Sequence, residues 1–267
     1  MLNKEKRFLL LATVLLVVSF VSFVMVFFMK GSSKEEHIKK AVEQSLPKIA
    51  IVLDDWGYNK KYLDLLDAID APLTISVLPE LVYSKYIAER EGDFLNREVI
   101  LHMPMEPESS SVRLEKLTLL TTMSTADAKR FLKVALKSVP NAKGISNHMG
   151  SKATKDADLM QVVLEYIKHK EGYFLDSYSS DKSVCKNVAN LLDVDFVKRD
   201  VFLDNNLDEK YIRGQFDELV DIAKIKGSAI GIGHNHKLTL EVIKERVDAL
   251  RDAEIEFVLA SELIQKR

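Results

Sequence analysis

Ile49-Ala50-Ile51-Val52-Leu53-Asp54-Asp55-Trp56-Gly57 is an apolar, β-branched run that stops at two adjacent carboxylates. A run of this length and make-up reads as a buried strand. The arrangement recurs along the chain. Val99-Ile100-Leu101 leads into His102-Met103-Pro104-Met105-Glu106-Pro107, and Gly144-Ile145-Ser146 leads into Asn147-His148-Met149-Gly150-Ser151. A further run ends in Asp176-Ser177, and Ile230-Gly231-Ile232-Gly233 ends in His234-Asn235-His236.

Working outward from these segments, strands are predicted near residues 48–53, 73–78, 97–102, 143–146, 172–176, 194–198, 227–233 and 255–259. Amphipathic stretches of helical length lie near 59–69, 81–93, 125–138, 156–170, 183–191, 208–225 and 238–252. Ser124 with Asp127 three residues on is a partial capping box. Leu159, Val162, Val163, Tyr166 and Ile167 make one apolar stripe. Strands that alternate with helices must be parallel, because parallel neighbours need a crossover. The expectation is an α/β fold: a distorted (β/α) barrel of about seven to eight mostly parallel strands. A doubly wound open sheet is the alternative.

The composition fits one such domain. Hydrophobic residues make up 47% of 267 and charged residues 29%, which excludes a disordered chain. A net charge of −2 gives no electrostatic case for nucleic acid. The lone cysteine, Cys185, excludes an intrachain disulfide and a cysteine-rich zinc site.

The N-terminus reads differently. Lys4, Lys6 and Arg7 precede an apolar run of 22 residues, Phe8 to Met29, closed by Lys30. At about 1.5 Å per residue it spans about 33 Å, the thickness of a bilayer core. Phe27, Phe28, Met29 and Lys30 stand where a signal-peptidase site needs small residues, so an uncleaved transmembrane anchor is expected. The basic cluster upstream places the tail inside and the rest of the chain on the extracytoplasmic side, in the periplasm or at the cell surface. The expected organisation is residues 1–30 as tail and anchor, 31–46 as stalk, and 47–267 as the barrel domain.

Functional groups of α/β barrels sit at the C-terminal ends of the strands. Asp54, Asp55, His102, His148, Asp176 and His234 all fall there, as do four of the six histidines. Each alone has a plainer reading as a turn, a cap or a satisfied imidazole. Together they form a donor set of imidazole nitrogens and carboxylate oxygens that suits Zn²⁺ or a similar divalent ion. Adjacent aspartates do not readily chelate one ion together, which leaves one free to act as a base. A histidine can protonate a leaving group. This chemistry is metal-assisted hydrolysis of an amide or ester. Trp56, beside the aspartates, either stacks on a sugar or packs in the core.

Taken in order, these motifs resemble the polysaccharide deacetylase superfamily, and its divergent branch in particular, over roughly residues 47–265. The resemblance implies a metal-dependent N- or O-deacetylase of a cell-envelope polysaccharide. It implies Asp54 as general base, His234 as general acid, and Asp55, His102 and His148 as metal ligands. Asp176 would stand behind the ligands and orient a histidine. Beside these, Glu106, Asn147 and Trp56 are candidates for substrate binding or for support behind the ligands. Two features depart from ordinary members. Glu106 stands where they carry a second histidine, as a ligand, a substrate contact or neither, and their Arg-x-Pro-Tyr motif is absent. The alternative is a barrel that binds metal without turnover and serves as an envelope scaffold or glycan-binding regulator.

Overall fold

A computed structural model of the chain describes residues 46–251 and 253–264. The expected anchor and most of the expected stalk lie outside these residues. Among the described residues no helix is long and apolar enough to cross a membrane.

The strands are β1 (Lys48–Trp56), β2 (Leu73–Val77), β3 (Arg97–Met105), β4 (Gly144–Met149), β5 (Tyr173–Asp176), β6 (Phe196–Lys198), β7 (Val201–Phe202), β8 (Ser228–His234) and β9 (Glu256–Val258). The helices are α1 (Leu63–Asp67), α2 (Ser84–Gly92), α3 (Thr125–Ser138), α4 (Ala157–Lys168), α5 (Cys185–Leu192), α6 (Glu209–Lys226) and α7 (Lys237–Ala249). The sheet order is β6-β5-β4-β3-β2-β1-β8-β7, with β9 on β1, and every pairing is parallel. The sheet curls, and its two ends are neighbours in the chain. Arg199 N donates to Asp176 O at 3.0 Å on one side, and Asp200 N donates to Ile230 O at 2.9 Å on the other. The short segment joining β6 to β7 therefore completes the ring without a ladder between those strands.

Local signals set the helix ends. Ser124, Asp156 and Asp208 each accept a backbone N–H of the first turn, at α3, α4 and α6. Gly227 ends α6 at φ +85°, a conformation that costs glycine no Cβ clash.

Alternation along the strands sorts their side chains into two layers. Ile49, Ile51 and Leu53 of β1, with Val99 and Leu101 of β3, join helix residues such as Leu132, Leu164, Phe216 and Ile243 in the outer core. Ala50, Val52, Ile100, Leu175, Ile230 and Ile232 fill the barrel interior. Below them Glu98 accepts from the hydroxyls of Thr74 and Tyr173, and the turn Ala260–Leu263 covers that end. Continuing the count upward carries Asp54, Ser76, His102, Ser146, His148 and His234 onto the inward face, at the opposite end.

The sequence anticipated eight of these strands. β7 went unrecognised because two residues carry no periodicity. β1, β3 and β4 run about three residues further than expected, because parallel pairing continues through Trp56–Val77 and through Met105–Met149. Part of the site is thus built into strands and not into turns.

Candidate active site

Asp55 reaches the site through a break in the alternation. The β1–β2 register shifts between Leu53 and Trp56, and Asp55 takes φ +65°. Such a bulge adds one residue to a strand and turns it. Asp54 and Asp55 therefore both serve the barrel mouth, where strict alternation would have sent one of them outward. A second sharp turn follows β4, with Met149 at φ +56° and Gly150 at φ +86°. A Cβ on Gly150 would meet the Met105 Cβ at 3.0 Å, so glycine lets this turn lie close against β3.

Three ligand-type atoms converge there. Asp55 Oδ1 lies 3.0 Å from His148 Nδ1 and 3.4 Å from His102 Nε2, and the two nitrogens are 3.3 Å apart. Ligands held about 2.1 Å from an ion are separated by about 3.0 Å at right angles and about 3.4 Å at the tetrahedral angle. The observed spacings fall in that range. Asp55 Oδ1 is buried, yet it has no hydrogen-bond partner despite its two close imidazole neighbours. A buried oxygen left so would be costly in the protein alone. Orphaned oxygen, donor types and spacing all fit a divalent cation. Burial pushes the Asp55 carboxyl up, but the imidazoles of His102 and His148 outweigh it and hold the group well below the usual carboxylate range.

His102 is nearly inaccessible, and its other nitrogen, Nδ1, lies 2.7 Å from Ser146 Oγ. Ser146 Oγ is in turn 2.8 Å from Ser76 Oγ. Asp54 is buried, with Oδ2 3.5 Å from His102 Nε2 and Oδ1 unpartnered. Burial raises its pKa, opposed by His102 and His234.

His234 closes the opposite side of the cavity, across the β1–β8 pairing in which it aligns with Asp54. Its Nδ1 is 2.8 Å from Asp204 Oδ1, while Asp204 Oδ2 accepts from the His234 backbone N–H and the Thr239 hydroxyl. Burial alone would discharge the ring. The hydrogen bond and charge of Asp204 prevail, helped by Asp54 and Asp55, and raise the His234 pKa to about 9. Nε2 is left as the free ring nitrogen. The cavity between these groups measures about 360 Å³. A larger hollow around Arg97, Asn141 and Gly172 lies at the other end of the strands, and among the described residues the Asp55, His102 and His148 cluster is the one set of three such donors close enough to share an ion.

The remaining expected residues are placed as follows. Glu106 lies outside the ligand cluster: Oε2 accepts from the Thr121 backbone and hydroxyl, and Oε1 pairs with Lys152 Nζ at 2.7 Å. It joins the loop after β3 to the turn after β4. Asn147 lines the cavity, accepting from Ser177 N and donating to Met149 O and to Ser179 Oγ. Asp176 corrects the expectation that it orients a histidine. It shares the outward phase of Phe174, and its oxygens accept from Tyr178 N and the Ser183 hydroxyl. Trp56 corrects the stacking alternative: its ring is fully buried in the outer core and offers no face to a sugar.

Sequence reasoning missed Asp204, Ser76, Ser146 and Arg199. Asp204 follows β7, so the strand-end rule would have found it had that strand been recognised. The serines carry no signal beyond inward phase. Arg199 lines the cavity, tied by Nε to Ser177 O at 2.7 Å and by Nη2 to Tyr178 O at 3.0 Å.

A curled parallel α/β barrel with an Asp/His/His cluster at the strand ends is the class that fold and site define. Residues 51–264 match the family model described as divergent polysaccharide deacetylase, and the chain belongs to that family. The uncharacterized protein YibQ of Escherichia coli K12 is 36% identical over 219 residues, covering 82% of this chain and 68% of that one. An uncharacterized protein of Haemophilus influenzae is 34% identical over 197 residues, covering 74% and 70%. The uncharacterized protein ATU2773 from Agrobacterium tumefaciens C58 has a solved structure with the same fold. Its TM-score is 0.76 at 23% identity, covering 82% of this chain and 90% of that one.

Proposed function

We propose that the domain is a metal-dependent hydrolase that removes N- or O-acetyl groups from a cell-envelope polysaccharide. The carrying observation is the convergence of Asp55 Oδ1, His102 Nε2 and His148 Nδ1 beside a second, unpartnered carboxylate. The two-nitrogen, one-oxygen donor set favours Zn²⁺. When bound, such an ion supplies Lewis acidity to an acyl oxygen and lowers the pKa of water from about 15.7 towards 7.

The chain's own groups do the rest. Asp54 accepts the proton of the attacking water, from a buried position beside the ligands. His234, kept charged by Asp204, presents Nε2–H to the departing amine or alcohol. Family membership supports a polysaccharide substrate. The apolar run Phe8–Met29 supports a domain tethered to the membrane on the extracytoplasmic side.

The test is acetate release from an acetylated amino-sugar polymer by the purified full chain. Release should stop on chelation and return on adding Zn²⁺. Undiminished release by Asp55→Ala would contradict the reading. One equivalent of bound metal with no turnover on a broad acetylated panel would favour the glycan-binding scaffold.

A further inference from the structure

A histidine that ligates an ion through one nitrogen must carry its proton on the other, and something must receive that proton. Carboxylates, backbone carbonyls and water are the usual receivers. His102 uses none of these: its Nδ1 meets the Ser146 hydroxyl, and Ser146 meets the Ser76 hydroxyl. Ser76 and Ser146 have no exposed surface. They stand on the inward faces of β2 and β4, above the apolar interior formed by Val52, Ile100 and Ile232. Buried hydroxyls there are costly unless bonded.

Counting protons gives the pair a direction. Two links join three groups, each carrying one proton. If Nδ1 accepted from Ser146, Nε2 would bear the hydrogen, and that hydrogen would point at Asp55 and His148, where a cation would sit. If Nδ1 donates, Ser146 donates onward to Ser76, and the Ser76 proton is left for a further acceptor. Leu53 aligns with Ile75 on the neighbouring strand, so Asp54 and Ser76 each follow one residue further toward the barrel mouth. Only the second direction leaves the Nε2 lone pair free.

We propose that Ser146, backed by Ser76, is a positioning residue that holds His102 in its Nε2-ligating tautomer through a relay of two hydroxyls. This rests on the metal-site reading above. Ser146 touches neither substrate nor ion, and its contribution is to ligand affinity.

The experiment compares the full chain with Ser146→Ala, Ser76→Ala and Ser146→Thr, by Zn²⁺ titration against a chromogenic chelator. The wild type should bind one equivalent. Ser146→Ala should weaken binding by about 10–100-fold, the usual cost of removing such a partner. Ser76→Ala should weaken it less, and Ser146→Thr, which keeps the hydroxyl, should restore most of it. Nitrogen-15 spectra of the loaded wild type should show a slowly exchanging His102 Nδ1–H, which Ser146→Ala loses. Should Ser146→Ala fail to fold, weakened Ser76→Ala beside near-normal Ser146→Thr supports the relay. Wild-type affinity and an unchanged His102 signal in the serine-to-alanine variants overturn the relay alone. A wild type that binds no Zn²⁺ overturns the metal site and the relay together.

Discussion

His234 Nδ1 lies 2.8 Å from Asp204 Oδ1, and Asp204 spends its other oxygen on the His234 backbone N–H and on Thr239. One carboxylate thus fixes both the ring and the backbone of the proposed acid. Burial disfavours the charged imidazole, but Asp204 outweighs it, and His234 titrates near 9 against an ordinary 6.5. Because the folded-state pKa is the higher one, this pair stabilises the fold fully below about 6.5. The contribution is lost as pH rises through about 9. Asp204→Asn should lower the midpoint markedly, read by NMR titration of metal-free protein, and should remove the stability lost between those two pH values. An unmoved midpoint would show that Asp204 does not set the charge.

Metal binding should be visible as stability before any substrate is known. An ion that binds only the folded state at 100 times its Kd adds about 2.7 kcal/mol. Thermal melts of the wild type should rise with added Zn²⁺ and fall back with chelator. Asp55→Ala and His148→Ala should lose that response, since each removes one of three converging atoms. Metal analysis of the same preparations gives the stoichiometry, and full occupancy in both variants would remove the basis for the cluster.

Much of this arrangement was legible in the chain. The apolar run into Asp54-Asp55 located β1, and the strand-end rule picked out His102, His148 and His234. Alternation predicts which side chains face inward, and it accounts for Asp176, which stands one position out of phase with Leu175 and so serves the outer layer. Asp55 defeats that counting, because only a bulge with positive φ turns it inward, and periodicity does not report a bulge. Asp204 was hidden behind the two-residue β7. Ser76 and Ser146 were hidden by chemistry, since an inward serine looks like any small residue until its partner is known.

Asp54 and Asp55 are adjacent, yet their substitutions should separate. Asp54 Oδ2 is 3.5 Å from His102 Nε2, and Oδ1 is left for a reacting proton. Asp54→Asn should keep Zn²⁺ binding within a few-fold while acetate release falls by about 10²–10⁴, the range for losing a general base. Asp55→Ala should lose both together. Parallel loss of metal by both variants would mean that Asp54 is a ligand and that the base is elsewhere.

Glu106 offers the reverse contrast. Its oxygens are committed to Thr121 and Lys152, and its backbone carbonyl accepts from Lys152 N and Ala153 N, so it is a fastener between two loops. Lys152 is too exposed for that ion pair to count for much, and the bonds to Thr121 are the larger part. Glu106→Gln keeps an acceptor for Thr121 and should be mild. Glu106→Ala strands the Thr121 N–H and should cost about 1–3 kcal/mol in chemical denaturation. Zn²⁺ stoichiometry should stay at the wild-type value in both variants, since neither oxygen joins the Asp55 cluster. Loss of metal in Glu106→Gln, with stability retained, would place the carboxylate in the coordination sphere of the loaded protein.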